Sequence, residues 1–461
     1  MKLMNNEPIE VQKLLKQLLK KIDKVDFREL AGEDAEGDLR LTNRHYLVYT
    51  IDRLLVVAIE NDWGLCRNND FIYLYNGEFW NVVDSSDFKY FLGRAAFKMG
   101  VNKTESKYYV FQDNLLKQFF ASARLPFPSK EKDTVLINLK NGTYEVTPNG
   151  GMLREFRRKD FLIYQLPFEF DPSATAPLFH KYLNRVLPDK NLQDVLSEYL
   201  GYVFTRHLKL EKCLLLYGSG ANGKSVFFEI VNALLGKENV SNFSLGNLSE
   251  EHNRALIANK LLNYGSEIRG NIESDVFKQL VSGEPIQCRM KYGNSFFIED
   301  YARLCFNCNE LPKDVEHTEA YFRRFTIIPL KVTIPEHERD PELAKKIIQT
   351  ELSGVFNWVL EGINRLLEQK GFTFSDTIKA TINEFKQQSD SVHLFLAEEG
   401  YSRSTDACSL LKHIYPEYRN FCTNDGYRSL SKSNFKKRLE NLGYVVERKN
   451  IGMTVFLKKA A

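Results

Sequence analysis

One stretch constrains this chain more than any other: residues 213–236, CLLLYGSGANGKSVFFEIVNALLG. Its apolar start, residues 214–217, predicts a strand. Residues 226–235 predict a helix, closed by Gly236. Between them, Gly218-Ser219-Gly220-Ala221-Asn222-Gly223-Lys224-Ser225 meets every fixed position of G-x-x-x-x-G-K-[ST], in the strand–loop–helix context that motif requires. Each residue type has a physical reason. The glycines let the backbone turn tightly and bring amide N–H groups toward phosphate oxygens. The helix N-terminus adds a favourable field for an anion. Lys224 is the candidate for the β- and γ-phosphates, and Ser225 for Mg2+. A phosphate loop does not by itself separate kinase, GTPase and motor, so the rest of the chain must.

The chain has 461 residues, too many for one ordinary core. It is 43% hydrophobic and 27% charged, an ordinary globular composition. No run of about 18 uncharged apolar residues occurs, so neither a spanning helix nor a membrane partner is expected. The early residues carry acids and no apolar segment, unlike a secretory leader. Seven cysteines without framework spacing favour a reducing cytoplasm. Residues 401–461 hold 12 Lys/Arg against 5 Asp/Glu in a chain of net charge +3, so the remainder is net acidic. Such a basic end points to a polyanion partner, with a solvated surface as the plainer alternative.

The expected architecture is α/β, with a mixed α+β N-terminal region over 1–130. Residues 11–19 have helical spacing; 71–83 predict a hairpin around Asn76-Gly77, and 88–97 a helix. Residues 131–205 begin with strands at 135–139 and 143–146 around Asn141-Gly142. Beyond the Asp171-Pro172 break, residues 176–202 read as helical. Short apolar runs alternate with helices over 206–335, the pattern of a parallel sheet with helical crossovers. A helical segment follows over 336–395, with Gly371 as a stop for residues 340–369. The basic segment 396–461 predicts helices at 407–422 and 432–442, then strands at 445–448 and 454–457. Helices followed by a two-strand wing are compatible with a winged helix.

Further motor parts follow the phosphate loop. Residues 259–268, NKLLNYGSEI, predict a buried strand with Glu267 at its end, where a carboxylate can hold Mg2+ or the attacking water. Residues 304–306 predict another strand, followed by Asn307 and Asn309; a neutral polar side chain there can bridge phosphate and water. Cys305 and Cys308 have no second pair at matching spacing and sit in an apolar run, which argues against zinc. Arg323 and Arg324 precede the apolar strand of residues 325–330. An arginine reaching across a subunit boundary stabilises charge on a transferring phosphate, while a structural salt bridge is the plainer alternative for either. Residues 277–297 interleave Lys278, Arg289 and Lys291 with Tyr292 and Phe296 around two glycines. This is either a basic hairpin facing a nucleic-acid backbone or a solvated one.

The order of these parts resembles the superfamily III helicases, most of all the phage/plasmid and poxvirus-type primase-helicase family. LKNGTYEV (139–146) and LPFEFDPSATAPLF (166–179), with the helix to Tyr202, resemble that family's pre-helicase domain. Residues 343–367 resemble the helical segment after its motor core, and the C-terminal region its winged-helix-like end. The resemblance covers most of the chain from about residue 70. It implies an AAA+-like ATPase core in a ring, usually a hexamer, with ATP and Mg2+ between subunits and 3′ to 5′ tracking on single-stranded DNA. It assigns Lys224 and Ser225 to phosphate and Mg2+, Glu267 to the second acidic motif, and Asn309 to the sensor. Arg324, with Arg323 close behind, becomes the finger in trans. Arg289 and Lys291, with Lys278, would grip single-stranded or forked DNA, and Lys436 and Lys437 are the C-terminal DNA candidates.

Two departures matter. The family often pairs two carboxylates in the acidic motif, but here Ser266 precedes Glu267, so another residue is expected to share that role. No cluster of metal-binding acids marks a primase, so a separate primase or DNA polymerase is the expected partner. The leading expectation is an ATP-dependent DNA helicase. An ATP-switched origin-binding initiator or loader is the alternative, separated by strand displacement. A small-molecule kinase is disfavoured by the length, the basic end and the arginine pair.

Overall fold

The structure is a computed structural model. It describes residues 7–32, 40–68, 70–123, 134–148, 150–266, 268, 274–291, 293–312 and 315–459. Two compact units divide the chain. One comprises residues 1–174, 233–239 and 352–356; the other comprises 175–232, 240–351 and 357–461. Among the described residues no helix is long and apolar enough to cross a membrane.

In the first unit, helices Glu7–Lys21, Asn43–Glu60, Ser85–Met99 and Tyr109–Ser122 bury a shared core that includes Leu18, Leu54, Phe88 and Phe119. The hairpin Phe71–Tyr75/Trp80–Val83 turns where expected. Gly77 takes φ +102°, and the Asn76 carboxamide accepts the N–H groups of Glu78 and Phe79. A further strand, Leu65–Asn68, pairs with it. The second hairpin, Val135–Leu139/Gly142–Thr147, likewise gains Gly150–Arg154. Neither added strand has an apolar alternation to announce it, since LCRN and GGMLR are held by ladder bonds to a strong neighbour.

The second unit is built on five parallel strands: β1 (Cys213–Tyr217), β2 (Val240–Ser241), β3 (Leu262–Gly265), β4 (Arg303–Cys308) and β5 (Phe325–Pro329). Their order is β5-β1-β4-β3-β2. β1 is thus flanked by the last two strands in sequence, and loops after β1, β4 and β5 emerge at the carboxyl end of the sheet. All of β5 and most of β1 are buried, as expected of strands covered on both faces.

Two expected continuous helices are each broken. Residues 176–202 form Pro177–Val186 and Lys190–Tyr202, because Pro188 cannot continue a helix and Asp189 caps the second. Residues 340–369 form Leu343–Thr350 and Leu352–Gln369. At that break the buried Glu351 carboxylate accepts the N–H groups of Leu178 (3.0 Å) and Phe179 (2.9 Å), placing a negative charge at the start of helix Pro177–Val186. The left-handed residue ending the longer helix is Lys370 (φ +52°), one position before Gly371.

The C-terminal region packs helices Ser391–Glu398, Leu411–Asn424 and Lys432–Asn441 around Phe395, Tyr418, Phe435 and Leu439. A hairpin, Val446–Lys449/Gly452–Val455, follows them, and Ser409–Leu410 pairs with its second strand. Arg438 ties this region inward through the buried Asp390 carboxylate, 2.5 Å away, which also caps helix Ser391–Glu398.

Candidate nucleotide site and basic hairpin

The phosphate loop joins β1 to helix Lys224–Leu235. Gly220 (φ +115°), Ala221 (φ +50°) and Gly223 (φ +86°) all have left-handed backbones, so the tight path depends on residues that tolerate it. A Cβ on Gly218 would lie 2.1 Å from the Asn222 amide nitrogen and 2.6 Å from the Leu330 carbonyl; one on Gly223 would lie 2.8 Å from Val186. The cradle is therefore one that side chains would fill, which fits a phosphate approached by backbone.

Lys224 is buried (8% exposed) and turned into the loop. Its ammonium donates to the Gly218 carbonyl and to Asn222 Oδ1 (3.1 Å). Burial pulls its pKa below the ordinary lysine value. Asn222 in turn donates to the Leu330 carbonyl just beyond β5 (3.2 Å), and Tyr182 donates to the Gly223 carbonyl (2.8 Å). Ser219, Ala221 and Ser225 are exposed. The loop thus holds a lysine on exchangeable partners and a hydroxyl facing solvent.

Asn309 follows directly on β4. Its neighbour Cys308 accepts the Gly218 N–H through its carbonyl (3.1 Å), which brings the exposed Asn309 beside the loop. Asn307 is distinct: it lies within β4 and accepts from the Tyr264 hydroxyl (3.0 Å). Cys305 and Cys308 are buried in the same strand, and burial pushes the Cys308 thiol up to about 12. β3 ends at Gly265 with Ser266 exposed; Glu267 and Tyr292 lie outside the described residues.

The arginine pair lies at the opposite end of the strands, before β5 rather than after β1. Phe325 pairs with Cys213, and Cys213 N–H donates to the Arg324 carbonyl (2.8 Å). Four strand steps then separate Cys213 from Tyr217, about 13 Å of rise before the phosphate loop begins. Neither arginine can reach its own chain's loop across that length.

The two side chains differ. Arg324, expected to lead as the finger, is 8% exposed and is held within its own chain. It donates to the Ala320 carbonyl and to Ser282 Oγ (3.0 Å), and lies 3.3 Å from Glu211. Arg323 is the one that faces solvent, with its side chain 53% exposed and 2.6 Å from the same Glu211 carboxylate. The strand that starts at Phe325 carries Arg324 inward and leaves Arg323 outward. Glu211, itself at φ +53°, carries no sequence signal, since its partners lie more than a hundred residues away.

Strands Ile286–Arg289 and Ser295–Ile298 form the basic hairpin. Arg289 and Lys291 are exposed near its turn, with Phe297 59% exposed beside them; Glu251 is 3.8 Å from Arg289. Lys278 does not belong to the hairpin. It lies on helix Ser274–Ser282, where its ammonium meets Asp275 (2.9 Å) and Glu316 (3.0 Å), and those bonds raise its pKa. In the C-terminal region Lys437 is exposed, Lys436 lies 3.4 Å from Glu440, and the hairpin adds exposed Arg448 and Lys449.

Residues 52–188 match the family described as D5 N terminal like, and residues 216–324 match a family of unknown function, DUF5906. A protein named "Putative helicase 121R" from Invertebrate iridescent virus 3 is 23% identical over 318 residues, 59% of this chain and 33% of that relative. A second protein with "putative helicase" in its name, from Acanthamoeba polyphaga mimivirus, is 22% identical over 269 residues, 55% of this chain and 26% of that relative. The chain thus spans about a third or less of these curated relatives' length. Two apo structures of the NrS-1 C-terminal region are similar at 12% and 13% identity. Both similarities cover 90% of this chain, and 100% and 99% of those chains, with TM-scores of 0.48 and 0.49. These are similarities of an α/β chain to two family models, each over less than a third of its length, and to two viral proteins named as putative helicases.

Proposed function

We propose that the chain is an ATP-driven DNA helicase that acts as a ring, a hexamer by its resemblance, and unwinds DNA 3′ to 5′ to replicate a phage, plasmid or other mobile element. The observation that carries this reading is the separation of the phosphate loop from Arg323 by the length of β1. A site needing both must draw them from two copies.

In this reading Lys224 leaves Gly218 and Asn222 for the β- and γ-phosphates, and the loop amides surround the rest. Mg2+ would be held by Ser225 and Glu267 and would supply neutralisation of charge on the phosphates. Asn309 orients the attacking water from the end of β4. Arg323 of a neighbouring copy meets the charge that develops on the transferring phosphoryl group, and Arg324 holds the turn that presents it. Arg289 and Lys291 contact the DNA backbone, with exposed Phe297 offering a face to a base.

The C-terminal helices and hairpin serve as a winged-helix-like DNA contact through Lys437, Arg448 and Lys449, with Lys436 beside them. That basic wing also favours the second reading, an origin-binding initiator or loader. One experiment separates them: ATP hydrolysis with and without single-stranded DNA, beside displacement of a strand from a 3′-tailed duplex. Stimulated hydrolysis with displacement is expected. Hydrolysis or ATP binding without displacement moves the assignment to the initiator or loader, and absence of both ATP binding and hydrolysis overturns both readings.

A further inference from the structure

The first unit contains a cavity of about 470 Å³ that no part of the ATP-driven reading uses. Its walls include Trp63, Trp80, Phe161 and Ile59, and Arg158 and Lys159 line it as well. Trp63 and Trp80 are two of only three tryptophans in the protein.

The walls are built with some care. Gly64 lets the Trp80 ring cross the backbone, since a Cβ there would lie 2.3 Å from that ring. The Trp80 indole N–H donates to the Arg158 carbonyl (3.0 Å), and its main-chain N–H donates to the Leu162 carbonyl (2.8 Å), so strand Trp80–Val83 holds the basic segment in place. Phe161 then turns toward Trp80, ring centroids 4.8 Å apart. It does so with a left-handed backbone, φ +50°, a conformation bulky residues rarely adopt and that tends to persist at functional positions. Asp62, which precedes Trp63, is also left-handed (φ +60°) and lies 3.5 Å from the Arg158 guanidinium. That pair is open to solvent and easily exchanged. Arg157, Arg158 and Lys159 form an exposed run of three cations.

A flat apolar group fits the rings, and an anion fits the run beside them. An apolar peptide would use the first feature and not the second. We propose that this cavity binds a nucleotide, its base against Trp63 and Phe161 and its phosphate on Arg158 and Lys159. A unit of single-stranded DNA and a free nucleoside phosphate share that chemistry. The site is independent of ATP hydrolysis, so either reading can fail alone.

The test is photocrosslinking of the full chain to an oligothymidylate carrying 5-iododeoxyuridine, with adducts mapped by mass spectrometry. Adducts at Trp63 or Phe161 are expected. An Arg158→Ala/Lys159→Ala chain should fold unchanged by circular dichroism and lose about five- to tenfold in crosslink yield at limiting DNA, as expected for lost phosphate contacts. Competition by excess thymidine monophosphate would assign the site to free nucleotides; no competition would assign it to the strand. Adducts confined to residues 286–298 and 401–461, or a double variant that crosslinks as well as the unaltered chain, would overturn the proposal. Protection of Trp63 by an acidic aromatic peptide but not by DNA would overturn it in favour of a protein partner.

Discussion

The phosphate loop and the basic hairpin belong to the same compact unit, yet they were not equally visible in the sequence. The loop is built from backbone geometry: glycines with left-handed φ, positions where a Cβ would collide, and a helix start. Those requirements fall on consecutive residues, so the pattern is complete within eight positions. The proposal for the hairpin rests on side-chain charge, and a cation's role depends on what it meets in space. Lys278 looks like its neighbours Arg289 and Lys291 in sequence, but Glu316, thirty-eight positions later, takes it. Sites made of backbone geometry are legible locally; sites made of charge are legible only once partners are known.

The sharpest way to break this comparison is at the loop. Lys224→Ala should reduce ATP turnover to background while the thermal midpoint stays near that of the unaltered chain. Arg323→Ala should lose on the order of a thousandfold in turnover and still bind ATP. Mixing the two variants should restore part of the activity, because one copy supplies the loop and the other the arginine. Absence of recovery at every mixing ratio would refute the two-copy site.

The arginine pair shows the same divide at one-residue resolution. Arg323 and Arg324 are identical in chemistry and adjacent in sequence, so nothing local ranks them; the register of β5 against β1 does. Arg324→Ala should therefore act first on the fold, costing about 2 to 3 kcal/mol through lost bonds to Ser282, Ala320 and Glu211. Arg323→Ala should cost under about 1 kcal/mol, as exposed ion pairs usually do. Urea titration of both variants checks this, and equal destabilisation would remove the distinction between them.

Much of the fold was legible for related reasons. Asn76-Gly77, the Asn141-Gly142 hairpin and the β1–loop–helix unit are local and appear where the pattern puts them. One miss is local: residues 176–202 read as one helix across Pro188, which cannot continue a helix, and Asp189 caps the second. The others are non-local. The break at Glu351 depends on Leu178 and Phe179, more than 170 positions away, whose amides take its carboxylate. In the site, Glu211 and Ser282 were invisible because a lone acid and a lone hydroxyl acquire meaning only beside the arginines.

The hairpin sharpens the comparison at smaller amplitude. Arg289→Ala/Lys291→Ala should keep basal hydrolysis, lose several-fold in DNA stimulation, and lower the slope of log affinity against log salt by about 2. Lys278→Ala should leave that slope unchanged. A slope change for Lys278 as large as for Lys291 would return it to the DNA-contacting set.

The smallest effect is the pH signature of the carboxylate that takes Lys278. Burial alone would raise the Glu316 pKa, but hydrogen bonds from Ser274, Thr318 and Lys278, together with the Lys278 charge, hold it down, from 4.5 to about 2. A carboxylate depressed in the folded state adds stability that is fully present above its unfolded value and is lost as acid protonates the folded group. Its contribution should therefore fade as pH drops from about 4.5 toward 2. Glu316→Gln should lower the thermal midpoint at pH 7 and show a shallower decline through that window. If both chains lose stability in parallel, other carboxylates carry the acid response, and the contact between helix Ser274–Ser282 and Glu316 is a weak surface pair.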